Sequence, residues 1–115
     1  MISYHVRMAI PEITLRRIER WCDALVPDSF KDELRYEFAV TNNYIVTILE
    51  VRPAWNGVGG PTRAPVARLR YIRKQWSLYW CDRNQKFHAY DIEPSLLVDD
   101  LLDYIENSND PIFFG

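Results

Sequence analysis

Residues 65–91 read PVARLRYIRKQWSLYWCDRNQKFHAYD, and this stretch decides the fold. It is dense in aromatic, aliphatic and arginine residues, with two polar interruptions at Lys74-Gln75 and Asn84-Gln85. That pattern predicts three consecutive antiparallel strands joined by tight turns. With a two-residue loop at each interruption, Leu69, Trp80 and Ala89 align on one face, and Tyr71 pairs with Leu78. This apolar face goes inside. Alternation then turns Arg68, Cys81 and His88 outward in one row, and Arg70, Tyr79 and Tyr90 in the next.

Upstream, Leu34 to Thr41 alternates apolar and polar residues, and Tyr44 to Arg52 does so less regularly. Asn42-Asn43 lies between them. Asparagine tolerates positive φ, so the pair suits a two-residue type I′ hairpin loop. That loop sets Thr41 opposite Tyr44, Phe38 opposite Thr47, Tyr36 opposite Leu49 and Leu34 opposite Val51. These residues, with Val40 and Ile45, make the expected buried face. The other face then pairs Arg35 with Glu50 and Glu33 with Arg52, opposite charges in both cases.

Helices flank the strands. Pro11 suits the first position of a helix, and Leu15, Ile18, Cys22 and Leu25 recur at helical spacing as far as Val26. Trp21 reads as a core anchor. Pro94-Ser95 opens the last helix, whose apolar stripe is Leu97, Val98, Leu101, Leu102 and Ile105. Asp110-Pro111 ends it, and Ile112, Phe113 and Phe114 are expected to dock on the body. Ile2 to Met8 is an arm or a short strand. The expected fold is a single α+β domain over residues 1–115. A five-stranded antiparallel sheet, hairpin plus three-stranded meander, is flanked by an N-terminal and a C-terminal helix on one face.

Composition agrees with one globular domain: 115 residues, 48% hydrophobic and 26% charged. Net charge is −2, but its distribution is uneven. Arginine and lysine crowd residues 63–90, whereas residues 91–110 carry acids and no base. A dipolar molecule with one basic face and one acidic helix follows. The two cysteines, Cys22 and Cys81, lie far apart and read as reduced thiols in a cytoplasmic protein. No leader-like run and no stretch of about 18 apolar residues is visible, so no membrane association is expected.

The loop over residues 53–65, PAWNGVGGPTRAP, is the longest irregular segment. Trp55 either caps an open edge of the core or stands out as a binding residue. Gly57-Val58-Gly59-Gly60 is followed by no Gly-Lys-Ser/Thr and no helix, so it is not a phosphate-binding loop.

From Glu50-Val51-Arg52-Pro53-Ala54-Trp55 onward the chain resembles a family of small bacterial proteins, the domain-of-unknown-function family 3024. The likeness continues through Pro65-Val66-Ala67-Arg68-Leu69-Arg70-Tyr71. It is strongest at Trp76-Ser77-Leu78-Tyr79-Trp80, Asp82-Arg83-Asn84 and Phe87-His88-Ala89-Tyr90. It ends in Asp110-Pro111-Ile112-Phe113-Phe114-Gly115. The resemblance implies a bacterial source and carries no catalytic residue over.

Chemistry must therefore be read from the side chains. His5, His88, Cys22 and Cys81 show no zinc-ligand spacing. Cys81 and His88 share the expected outer face as a nucleophile and base, with Arg68 beside the thiol, but no oxyanion donor or orienting acid accompanies them. Glu50 and Arg52 resemble the acid-x-base element of metal-dependent nucleases, with Glu37 or Glu33 as the second acid. Cross-strand pairing explains these acids more simply. No cofactor, metal or catalytic residue is expected. The most informative set is Arg68, Arg70, Tyr79, Arg83, Lys86, His88 and Tyr90, with Trp55 as a further contact. Cations hold phosphates, and rings stack bases or anchor protein partners. The alternative is that a helix, a loop or a second subunit covers this face, with the acidic last helix pairing the arginines. The expected function is a non-enzymatic binding or adaptor domain with a protein or peptide partner. A single-stranded nucleic-acid binder comes second and a nuclease third. Self-association is compatible with this reading.

Overall fold

A computed structural model describes residues 9–114. The expected arm over Ile2–Met8, and His5 with it, lie outside that range. Helix α1 spans Glu12–Ala24, and a short 3₁₀ turn follows at Asp28–Phe30. Five strands come next: β1 Arg35–Thr41, β2 Ile45–Arg52, β3 Thr62–Ile72, β4 Gln75–Cys81 and β5 Phe87–Ala89. Helix α2 spans Val98–Asn107 and α3 spans Pro111–Phe114. The strands form one antiparallel sheet in the order β1-β2-β3-β4-β5, each beside its neighbour in sequence. The chain is the α+β fold the alternation predicts.

All three helices pack on one face. The core joins Val46, Ile48, Ala67, Leu69, Trp76 and Leu78 of the sheet to Ile18 and Cys22 of α1. From α2 come Val98, Leu101, Leu102 and Ile105, and from α3 Phe113. Trp21 packs against this core, and its indole nitrogen donates to Glu106 at 3.2 Å.

Three expectations are corrected. The first hairpin has a three-residue loop. Asn42 and Asn43 both adopt positive φ, but Tyr44 also belongs to the turn, its amide donating to Thr41 O at 3.4 Å. The strands therefore pair one residue out of the expected register: Thr41 with Ile45, Phe38 with Ile48, Tyr36 with Glu50. A one-residue shift exchanges faces. Tyr36 and Phe38 stay on the core side, opposite Glu50 and Ile48, while Thr47, Leu49 and Val51 go to the other face. The pairs Arg35–Glu50 and Glu33–Arg52 do not form. Instead Arg35 bonds Glu37 at 2.8 Å and Arg52 bonds Glu50 at 2.7 Å, each along its own strand.

The second correction is at β3–β4. The turn residues are Arg73 and Lys74, with φ of 55° and 62°, one position before the expected centre. Leu69 thus faces Leu78 and Ala67 faces Trp80. The slip spans two residues across the pair, so every side chain keeps its face. The third is α2, which starts at Val98 rather than at Pro94-Ser95. Ser95 instead extends the sheet, exchanging backbone bonds with Trp76 at 2.7 and 2.9 Å. Leu97 is left exposed rather than buried in the stripe.

Candidate binding face

The face away from the helices is read from the pairing. Thr47, Arg68, Tyr79 and Ala89 form one row, and Ile45, Arg70 and Ser77 the next. Phe87 lies beside Cys81 at the end. Arg35 and Arg63 flank Val51 at the opposite end. The outward strand positions carry Arg35, Arg63, Arg68 and Arg70 against one carboxylate, Glu37.

Each guanidinium is held. Arg68 donates from Nε to Thr47 Oγ1 at 3.2 Å and lies 3.8 Å from the centroid of the Phe87 ring. Arg70 donates to the Tyr79 hydroxyl at 3.0 Å, and its guanidinium carbon is 5.3 Å from that ring's centroid. Its Nε is buried and meets no acceptor among the described residues. Such cation–π contacts hold an arginine flat against the sheet and keep its charge. Arg63 and Arg35 share Glu37, whose carboxyl is held below its ordinary value first by the Arg35 bond and then by Arg63.

Among the described residues no helix covers this face. The acidic α2 lies on the other side, where Asp99 meets Arg17 of α1 at 3.4 Å. The acids after residue 90 therefore do not neutralise the arginines of β3.

The expected site residues part company here. Arg68, Arg70 and Tyr79 come together as expected. Arg83 and Lys86 stand exposed in the β4–β5 loop, beside the Phe87 end. His88 and Tyr90 do not join them. The β4–β5 loop is odd-numbered, closing with Asp82 N–H on Lys86 O at 2.9 Å, and Gln85 takes a positive φ. Trp80 therefore pairs with His88 and Tyr79 with Ala89, reversing the expected faces of β5. His88 tilts against the Trp80 ring and bonds Asp82 Oδ2 at 2.7 Å. Tyr90 turns under the helices and bonds Tyr104 and Asp110. Ala89, expected inside, faces outward. The same reversal turns Phe87 outward beside Cys81.

Trp55 is 96% exposed, so it does not cap the core. It sits past the end of β2, where Arg52 meets Thr62. At ~3.3 Å per residue along β3, Arg70 is roughly 25 Å from that end. Trp55 and the Arg70–Tyr79 pair thus form no common patch.

The nucleophile–base reading loses its geometry. Cys81 faces outward and His88 the helix side. Burial and the Asp82 charge push the Cys81 thiol up, and Arg68 only partly opposes them. Glu37 and Glu50 also lie on opposite faces, and Glu50 accepts from Tyr36 and Arg52. Among the described residues, no group of three or more His, Cys, Asp or Glu is placed to hold a metal ion.

Fold and face together define a small α+β domain that presents an arginine-rich sheet surface. The chain belongs to the family described as Domain of unknown function (DUF3024), matched over residues 7–115. No curated protein and no solved structure matches it.

Proposed function

We propose that this is a non-enzymatic binding domain whose outer sheet face takes an anionic partner. One observation carries the reading: Arg35, Arg63, Arg68 and Arg70 point outward from the strands with only Glu37 among them. An acidic protein or peptide segment is the first partner. It pairs with forked guanidinium donors already oriented by Thr47, Phe87 and Tyr79. The rings beside the arginines favour a second reading, a single nucleic-acid strand stacked on the same row. The setting is the bacterial cytoplasm, supported by the family resemblance and by the two unpaired cysteines.

The experiment is fluorescence anisotropy with a glutamate-rich peptide and a single-stranded oligonucleotide, each at low and high salt. Saturable binding that Arg68→Ala and Arg70→Ala each weaken roughly tenfold supports the face. Oligonucleotide binding that falls steeply with salt, through counterion release, selects the nucleic-acid reading. No binding of either probe by the folded wild type, or binding untouched by both variants, overturns the proposal.

A further inference from the structure

Among the described residues the sheet has two edges, β1 and β5. Strand β5 is three residues long, whereas β1 runs for seven, Arg35–Thr41. Long edges invite another strand, and proteins usually guard them with proline, lysine or a bulge. Strand β1 has none of these. Its two charges, Arg35 and Glu37, bond each other, and Ala39, Val40 and Thr41 are exposed and uncharged.

The backbone shows what this edge offers. Tyr71 N–H donates to Tyr44 O at 2.8 Å, which sets the alternation of β2. Val46 and Ile48 bond towards β3, so Ile45, Thr47 and Leu49 bond towards β1. Their β1 partners are Thr41, Ala39 and Glu37. Tyr36, Phe38 and Val40 must then aim their N–H and C=O groups away from the sheet. Beside them an open groove of ≈ 640 Å³ separates α1 from β1, with Cys22, Tyr36 and Phe38 among its lining. It leaves room for side chains of an added strand.

We infer that β1 is the seam of a homodimer, pairing antiparallel with β1 of a second copy about a two-fold axis at Phe38. Only this register gives all three outward residues a partner: Phe38 meets its own counterpart, and Tyr36 meets Val40 in both directions. Ring–ring and ring–β-branched neighbours are favourable cross-strand pairs. Arg35 falls opposite Thr41 and Glu37 opposite Ala39, so no like charges face each other. The net charge of −2 per chain adds little repulsion. The axis stands perpendicular to the sheet, so the outer faces of both copies join on one side. If the outer face binds as proposed above, the dimer presents two basic rows to one partner. The seam itself is argued from β1 alone and stands without that reading.

Sedimentation from micromolar to millimolar concentration, with hydrogen exchange on the same samples, tests this. The wild type is expected to dimerise, and the Tyr36, Phe38 and Val40 amides to become protected as it does. Val40→Pro removes one outward N–H and leaves the β2 ladder intact, so it is expected to stay folded by circular dichroism and lose at least tenfold in self-affinity. A wild type that stays monomeric throughout, or a Val40→Pro dimer as tight as wild type, overturns the seam. Should Val40→Pro fail to fold, the wild-type exchange decides alone. Protection that rises with concentration supports the seam. Protection present in the monomer means the chain covers its own edge, and overturns it.

Discussion

Tyr90 donates its hydroxyl to Asp110 Oδ2 at 2.7 Å, fastening the end of the meander to the start of α3. The Tyr90 hydroxyl oxygen also lies 2.9 Å from the Tyr104 hydroxyl, and the Tyr90 ring packs 5.2 Å from that of Phe113. Tyr90→Phe keeps the packing and removes the bonds, so the urea midpoint is expected to fall modestly. Tyr90→Ala also loses the ring, at a cost of roughly 2–4 kcal/mol. Neither change should alter the anisotropy titrations, whereas Tyr79→Ala should. Loss of binding in Tyr90→Phe would place this residue on the wrong face.

The hairpin register is tested by two neighbours. Ile48 is fully buried beneath the helices, and Leu49 is half-buried on the outer face. Ile48→Ala is expected to cost roughly 2–5 kcal/mol and Leu49→Ala clearly less. Chemical denaturation of both variants checks the order. Equal or reversed costs would restore the two-residue loop.

Asp82 makes acid stability local. Its carboxyl is held below the ordinary value first by the His88 bond, then by the backbone amides of Lys86 and Asn84. The unfolded chain therefore takes up this proton at a higher pH than the folded one. The resulting stabilisation is complete above the ordinary carboxylate range, near pH 4, and is lost as pH falls through the folded value. Asp82→Asn is expected to flatten this part of the stability–pH curve. An unchanged slope in a pH series of thermal melts would contradict it.

The two thiols should differ in reactivity. Burial pushes Cys22 up to about 12, with Asp23 and Glu19 adding to it. Cys81 is raised as well but is less buried. Iodoacetamide at neutral pH is expected to label Cys81 slowly and Cys22 only after unfolding, as mass spectrometry would show. Rapid labelling of Cys81 would reopen the question of a thiolate.

Arg73 and Lys74 both hold positive φ in the β3–β4 turn, a conformation that suits Asn-Gly better. Replacing the pair by Asn-Gly relieves the steric cost of positive φ and is expected to raise the melting temperature, although the added glycine frees the unfolded chain and offsets part of the gain. A lower melting temperature would show that one of the two side chains has a role beyond the turn.

How much of this was legible beforehand follows from loop parity. Misplacing the β3–β4 turn by one position moved the pairing by two residues and left Arg68, Arg70 and Tyr79 outward. Missing one residue in the β4–β5 loop moved the pairing by one, which inverted His88, Ala89 and Tyr90. The same one-residue difference is what turns Phe87 outward, beneath Arg68. Asn84 and Gln85 look like a two-residue turn in isolation. The Asp82 carboxylate, receiving the Asn84 and Lys86 amides at 2.8 and 3.0 Å, makes the longer loop close.

The sequence by itself determined the class of the chain. Period-two alternation and two amphipathic helices prescribe an α+β sheet with one apolar side, and arginines alternating along β3 must share the other. These are local properties, carried by residue type and spacing. The tertiary structure alone decided which side each strand of the hairpin and of β5 turns to the helices. A strand has the same pattern whichever face is buried, so the choice falls to loop closure and to the packing of Tyr90 beneath α2 and α3. It also decided that the acidic α2 pairs with α1 rather than with β3. That depends on which face its Leu101, Leu102 and Ile105 bury, and charge alone carries no such direction.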